Sequence, residues 1–174
     1  ENGLLSFPVR TSLMLDPQAK YNVVSFSGKG VVRNYGDQQQ VSRDPMPVYY
    51  NRTLTSNPQL IWSYKTFVPD LVVITLGGND LSTTPRPSFE QYSLGYNNLV
   101  DYIRKVYSSE SIPIVGVCGP LAYDCWGDYT QQVIQQSRDP NIHFVSLAGV
   151  LDGHYPGPDY GCDGHPSVSG DEKM

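Results

Sequence analysis

The sequence predicts a three-layer, doubly wound α/β domain, with helices on both faces of a parallel sheet. Three observations predict it. Four short apolar runs are each bounded by turn residues. The runs are mostly continuous rather than alternating, as expected for strands covered on both faces. Helical patterns lie between them, and strands that alternate with helices build parallel sheets.

Taken in order, the elements are these. A first helix is expected over residues 8–15, ending near Asp16-Pro17. The first apolar run is 22–26 (NVVSF). Residues 31–58 are polar and rich in Gly, Asn and Tyr, and read as a substrate-side loop or a surface excursion. An unstructured stretch of that length is unusual in a compact domain. Ser56 or Asn57 followed by Pro58 reads as an N-cap and first helical position, with Leu60, Ile61, Tyr64 and Phe67 at helical spacing. The second run is 71–76 (LVVITL). The strongest helix spans 88–107, with Phe89, Tyr92, Tyr96, Leu99, Val100, Ile103 and Val106 as its apolar stripe. The third run is 112–118 (IPIVGVC), followed by a helix over 128–138 with Tyr129, Val133 and Ile134 inward. The fourth run is 142–147 (IHFVSL). Residues 167–174 read as the start of a last helix, with Ser169 capping and Glu172 three residues on.

The 174 residues amount to one domain, and 39% apolar with 17% charged residues excludes a disordered chain. The net charge is −5 with no basic cluster, so the Lys/Arg stripe that a nucleic-acid binder needs is missing. No run approaches 18 apolar residues, so no membrane-spanning helix is expected. Two features favour secretion. Thirteen tyrosines against five phenylalanines is a ratio common in secreted polysaccharide-active proteins. Asn51-Arg52-Thr53 is an N-glycosylation acceptor in a turn-rich stretch. Cys118, Cys125 and Cys162 fit neither a metal site nor a redox pair; one bridge plus a free thiol, or three thiols, are both open.

In open α/β sheets, ligands bind beyond the carboxyl ends of the strands. The tails of the runs are therefore where chemistry is sought. Gly28 follows the first run and can present its N–H with no side chain in the way. Gly77-Gly78-Asn79-Asp80 follows the second. There Asn79 offers an amide donor suited to a developing oxyanion, and Asp80 can anchor the loop by accepting backbone N–H bonds. Near the C-terminus lies Asp163-Gly164-His165-Pro166-Ser167, in which a histidine with a nearby carboxylate can serve as a general base. His143 and His154 are weaker candidates.

A glycine after one strand, GGND after the next and D-G-H-P after the last, in that order, resemble the SGNH or GDSL-type hydrolases. Residues 22–35 (NVVSFSGKGVVRNY), Met46-Pro47 with Tyr49-Tyr50, and residues 69–74 (PDLVVI) look most like carbohydrate esterase family two. That resemblance implies a flavodoxin-like sheet and removal of acetyl groups from polysaccharides such as xylan. It implies Gly28 and Asn79 as oxyanion-hole donors, His165 as base and Asp163 as its orienting group, with no metal or cofactor. Tyr49, Tyr50, Tyr123, Trp126 and Tyr155 are candidates for stacking on sugar rings. Cys125–Cys162 is the expected bridge, with Cys118–Cys125 as its competitor.

The sequence departs from the family in two places. The usual Asp-x-x-His spacing puts Cys162 where the aspartate belongs, so the orienting group is Asp163 by another backbone path, or a main-chain carbonyl. No Gly-Asp-Ser occurs: Gly36-Asp37 is followed by Gln38, and Gly170-Asp171 by Glu172. The resemblance therefore implies one domain incomplete at both ends, without its first strand and last helix. Its nucleophile would lie upstream, alongside a small β-sandwich domain. The alternative from another class is a non-catalytic module that binds glycans or serves as a structural piece of an extracellular assembly.

Overall fold

The computed structural model describes residues 3–121, 123–152 and 154–174. In chain order the elements are α1 (Phe7–Leu15), β1 (Arg52–Leu54), β2 (Asn57–Ile61), β3 (Val72–Ile74), α2 (Gly78–Leu81), α3 (Phe89–Tyr107), β4 (Ile114–Cys118), α4 (Tyr129–Gln136), β5 (Ile142–Ser146) and α5 (Val168–Lys173). They fall into two units: Ser25–Ser146, and Leu147–Met174 together with the described residues up to Val24.

The larger unit is built on a parallel sheet of order β3-β4-β5, in which Val72 pairs with Ile114 and Ile114 with Ile142. The mixed α/β class and the parallel sheet agree with the sequence reading. Helix α3 starts where a capping box dictates: the Ser88 side chain accepts from the Gln91 N–H, and the Gln91 side chain accepts from the Ser88 N–H. Its stripe of Tyr92, Tyr96, Leu99, Val100 and Ile103 is buried with Ile74, Ile114 and Ile142 of the strands and Val133 and Ile134 of α4. Each such side chain contributes about 1.5–3 kcal/mol by leaving water. Arg104 lies buried beside this stripe, and its charge is matched by Asp139 at 2.7 Å and by the Ile112 carbonyl.

Three expectations fail. Residues 22–26 form no strand and are exposed. Apolar content alone does not make a strand: a ladder needs a paired strand, and these residues have no strand partner among those described. The helix expected after Pro58 is instead a hairpin, with Leu54 opposite Asn57 across a two-residue turn and Arg52 opposite Ile61. Pro58 fits an edge strand as well as a first helical turn, and the apolar spacing did not show that residues 52–54 would supply a partner. In α5 the cap is Ser167, which accepts from the Gly170 N–H; Ser169 donates to the Pro158 carbonyl.

Residues 31–58 are no surface excursion at their start. Val31, Val32, Arg33 and Asn34 are buried, and the loop is tied back by Ser42 N–H to the Val32 carbonyl and Met46 N–H to the Gly30 carbonyl, both at 2.8 Å.

In the smaller unit, the first N–H of α1, on Phe7, donates to Asp171 at 3.2 Å, and Arg10 pairs with Glu172 at 2.8 Å. The buried Asp159 carboxylate accepts from the Asp152 N–H and from Lys173. Among the described residues no helix is long and apolar enough to cross a membrane.

Candidate active site

Asn79 and Asp80 sit in the short helix α2, five and six residues beyond the end of β3 at Ile74. Both grip the loop that follows residue 27. The Asn79 amide donates to the Lys29 carbonyl at 2.9 Å. An amide carries two hydrogens, so one orients the side chain and the other has no partner among the described residues. Gly28 adopts φ +76°, the left-handed region that favours glycine. Its carbonyl accepts from Tyr35 N–H at 2.8 Å, while its own N–H has no partner among the described residues. Two unspent N–H donors thus belong to side chain and backbone groups held together through Lys29. Such donors can stabilise a developing oxyanion.

Asp80 anchors this loop as the sequence suggested. Its buried carboxylate accepts from three successive backbone N–H groups: Val31 at 2.8 Å, Val32 at 2.7 Å and Arg33 at 2.8 Å. Consecutive N–H groups aimed at one anion form a nest. Burial pushes the Asp80 carboxyl up to about 6, against the pull of those three donors. Gly30 is required by close approach: a Cβ there would run into the Arg33 carbonyl oxygen and Asp80 Oδ2.

Lys29 is fixed on its other side. Its ammonium pairs with Asp44 at 2.6 Å and lies over the rings of Phe26 and Tyr49. The Tyr49 hydroxyl donates to Asp44 at 2.8 Å. The Lys29 and Tyr49 bonds hold the Asp44 carboxyl down to about 2, from 3.8. A depressed folded value stabilises the fold above about pH 4, and that contribution is lost as pH falls through about 2. Urea unfolding at pH 5 and at pH 2.5 therefore has a wider gap in midpoint for the wild type than for Asp44→Asn.

The aromatic candidates divide. Tyr49 is engaged by Lys29, Asp44 and the Arg52 guanidinium, 4.6 Å from its ring. Tyr50 packs with Tyr64 and Tyr102 at centroid distances of 6.1 Å. Trp126 is 41% exposed, with the Arg86 guanidinium 4.6 Å from its ring and Tyr129 at its edge.

The bridge joins Cys118 to Cys125, not Cys125 to Cys162. The turn after β4 brings their Cα atoms to 5.2 Å, within the range a disulfide requires, and Cys162 is an exposed free thiol.

In the smaller unit the backbone around His165 is pinned: Gly161 N–H donates to the His165 carbonyl at 2.7 Å, and His165 N–H to the Cys162 carbonyl at 3.1 Å. The imidazole is exposed. The expected hydrogen bond from His165 to Asp163 is not formed. Asp163 is exposed, with a left-handed backbone at φ +54°, and His165 after it is extended. Arg33 is a residue that no pattern in the sequence singles out. It is fully buried, and its position after Val31-Val32 and before a polar loop gave no sign of that.

Residues 7–173 match the GDSL-like lipase/acylhydrolase family, and the chain belongs to it. Among curated proteins it is 29% identical over 183 residues to the cellulase/esterase CelE of Acetivibrio thermocellus, covering 100% of this chain and 21% of that protein. It is 25% identical over 185 residues to an acetylxylan esterase / glucomannan deacetylase of Cellvibrio japonicus, covering 99% of this chain and 48% of that protein. The chain thus spans between a fifth and a half of the curated relatives it matches. Among solved structures, a family two carbohydrate esterase from Clostridium thermocellum in complex with cellohexaose superposes with TM-score 0.83 at 28% identity, covering 99% of this chain and 51% of that one. A carbohydrate esterase family 2 enzyme with a carbohydrate binding domain from Myceliophthora fergusii gives 0.76 at 25%, covering 97% and 53%.

Proposed function

We propose that residues 1–174 are the SGNH-type domain of a secreted carbohydrate esterase that removes O-acetyl groups from polysaccharide. The observation that carries this reading is the pair of unspent donors, Gly28 N–H and Asn79 Nδ2, on one loop and its anchor in a chain of an acylhydrolase family. Named esterases among its relatives support the substrate class.

A serine in a Gly-Asp-Ser segment outside these residues attacks the acetyl carbonyl, and His165 takes its proton. The carbonyl oxygen becomes an oxyanion between Gly28 N–H, Asn79 Nδ2 and the serine's own N–H. The C–O bond to the sugar then breaks, and His165 returns the proton to the departing hydroxyl. Water, activated by His165, hydrolyses the acetyl-enzyme. Asp163 supports the imidazolium by its charge and not by a hydrogen bond. Trp126 presents a ring to the glycan, while Tyr49 packs on Lys29 and Tyr50 packs with Tyr64 and Tyr102. Asn51 carries an N-linked glycan.

The test is acetate release from acetylated xylan and from 4-nitrophenyl acetate by the intact polypeptide. Release is expected, with acetyl esters cleaved faster than long acyl esters. Retained glycan binding with no acetate release supports the non-catalytic module instead.

A further inference from the structure

Two buried charges lie just behind the candidate oxyanion site, and their bonds are reciprocal. The Asp80 side chain holds the backbone of residues 31–33. The Arg33 side chain holds the backbone of the segment that carries Asp80: its guanidinium donates to the Thr83 carbonyl at 3.0 Å, the Thr83 hydroxyl at 2.9 Å and the Thr84 carbonyl at 3.3 Å. It also closes its own loop through the Asp37 carbonyl at 2.5 Å and the Gln39 carbonyl at 3.1 Å. Both residues are 0% exposed. Neither side chain has a direct ion pair with the other among the described contacts; each binds the main chain next to the other. Such an arrangement leaves the two segments little freedom to slide, because shifting one breaks bonds on both.

The two segments are also the ones that carry the donors. Gly28 lies three residues before the nest, and Asn79 lies immediately before Asp80. The Asn79–Lys29 bond then sits between the two donors, and a clamp on its far side sets their spacing. We infer that Asp80 and Arg33 are positioning residues that together fix the distance between Gly28 N–H and Asn79 Nδ2. This inference rests on the esterase reading and adds to it a device for holding the oxyanion donors in register. Displacements of about 1 Å at a reacting centre cost roughly 10²-fold in rate, so loosening either residue lowers turnover without removing a donor.

The experiment compares wild type, Asp80→Asn and Arg33→Lys in the intact polypeptide, with 4-nitrophenyl acetate as substrate and urea unfolding alongside. Asn in place of Asp80 puts a donor where an N–H must be accepted, and a lysine lacks the planar fork needed to reach several carbonyls at once. The expected result is kcat at least tenfold lower in each folded variant, with KM within twofold of wild type. A purely structural role would lower the folded fraction and leave the kcat of the folded protein unchanged. If either variant does not fold, Thr83→Val takes its place; it keeps both charges and removes the hydroxyl acceptor of the Arg33 guanidinium, and a kcat loss in the same direction is expected. Wild-type kcat in a folded variant overturns the inference, as does failure of all three to fold. A wild type that releases no acetate removes the esterase reading and this inference with it; an active wild type with fully active variants removes the inference alone.

Discussion

His165→Ala is expected to lower kcat/KM for 4-nitrophenyl acetate by about 10⁴-fold, the upper end of what a positioned general base contributes. The imidazole is exposed and its side chain has no partner among the described residues, so its loss removes no packing. The backbone bonds from Gly161 and to Cys162 do not depend on the side chain. The unfolding midpoint should therefore stay within error while turnover collapses. Asp163→Asn should cost far less, because the carboxylate is not bonded to the ring. Equal losses in the two variants would restore Asp163 as the orienting group and show that the turn rearranges when substrate binds. The comparison needs only initial rates at saturating and subsaturating ester.

Asn79→Ala is the second large effect. Removing one oxyanion donor costs about 10²–10³-fold in kcat, or roughly 2.7–4 kcal/mol of barrier. Here the substitution also deletes the 2.9 Å bond to the Lys29 carbonyl. That neutral bond contributes about 0.5–1.5 kcal/mol to stability. The two roles separate in measurement: a modest fall in unfolding midpoint, and a fall in kcat larger than that fall explains. If kcat survives Asn79→Ala, the amide is only a loop tie and the oxyanion is held elsewhere.

Much of the framework could be read from the sequence where a signal was local. The stripe of α3 depends on residues within a few turns of one another, and the helix appears at Phe89–Tyr107 against the expected 88–107. Three of the four apolar runs carry strands, and the GGND segment lies directly after β3. What was not legible depended on partners distant in the chain. Residues 22–26 have strand composition without a ladder. Pro58 suits two structures, and the pairing with residues 52–54 decides between them. Arg33 looks like a surface residue in sequence, yet it is buried because carbonyls of residues 37, 39, 83 and 84 converge on it. The bridge from Cys118 to Cys125 follows from the tight turn after β4, and three cysteines in a line do not reveal that turn.

The most direct test of the account is a crystal structure of the intact polypeptide inactivated with an alkylphosphonate, whose phosphonyl oxygen stands in for the oxyanion of the reaction. That oxygen is expected about 3 Å from both Gly28 N and Asn79 Nδ2, with the His165 ring within hydrogen-bond reach of the bonded serine oxygen. A phosphonyl oxygen held by other groups, or an imidazole of His165 turned away from the adduct, would contradict it.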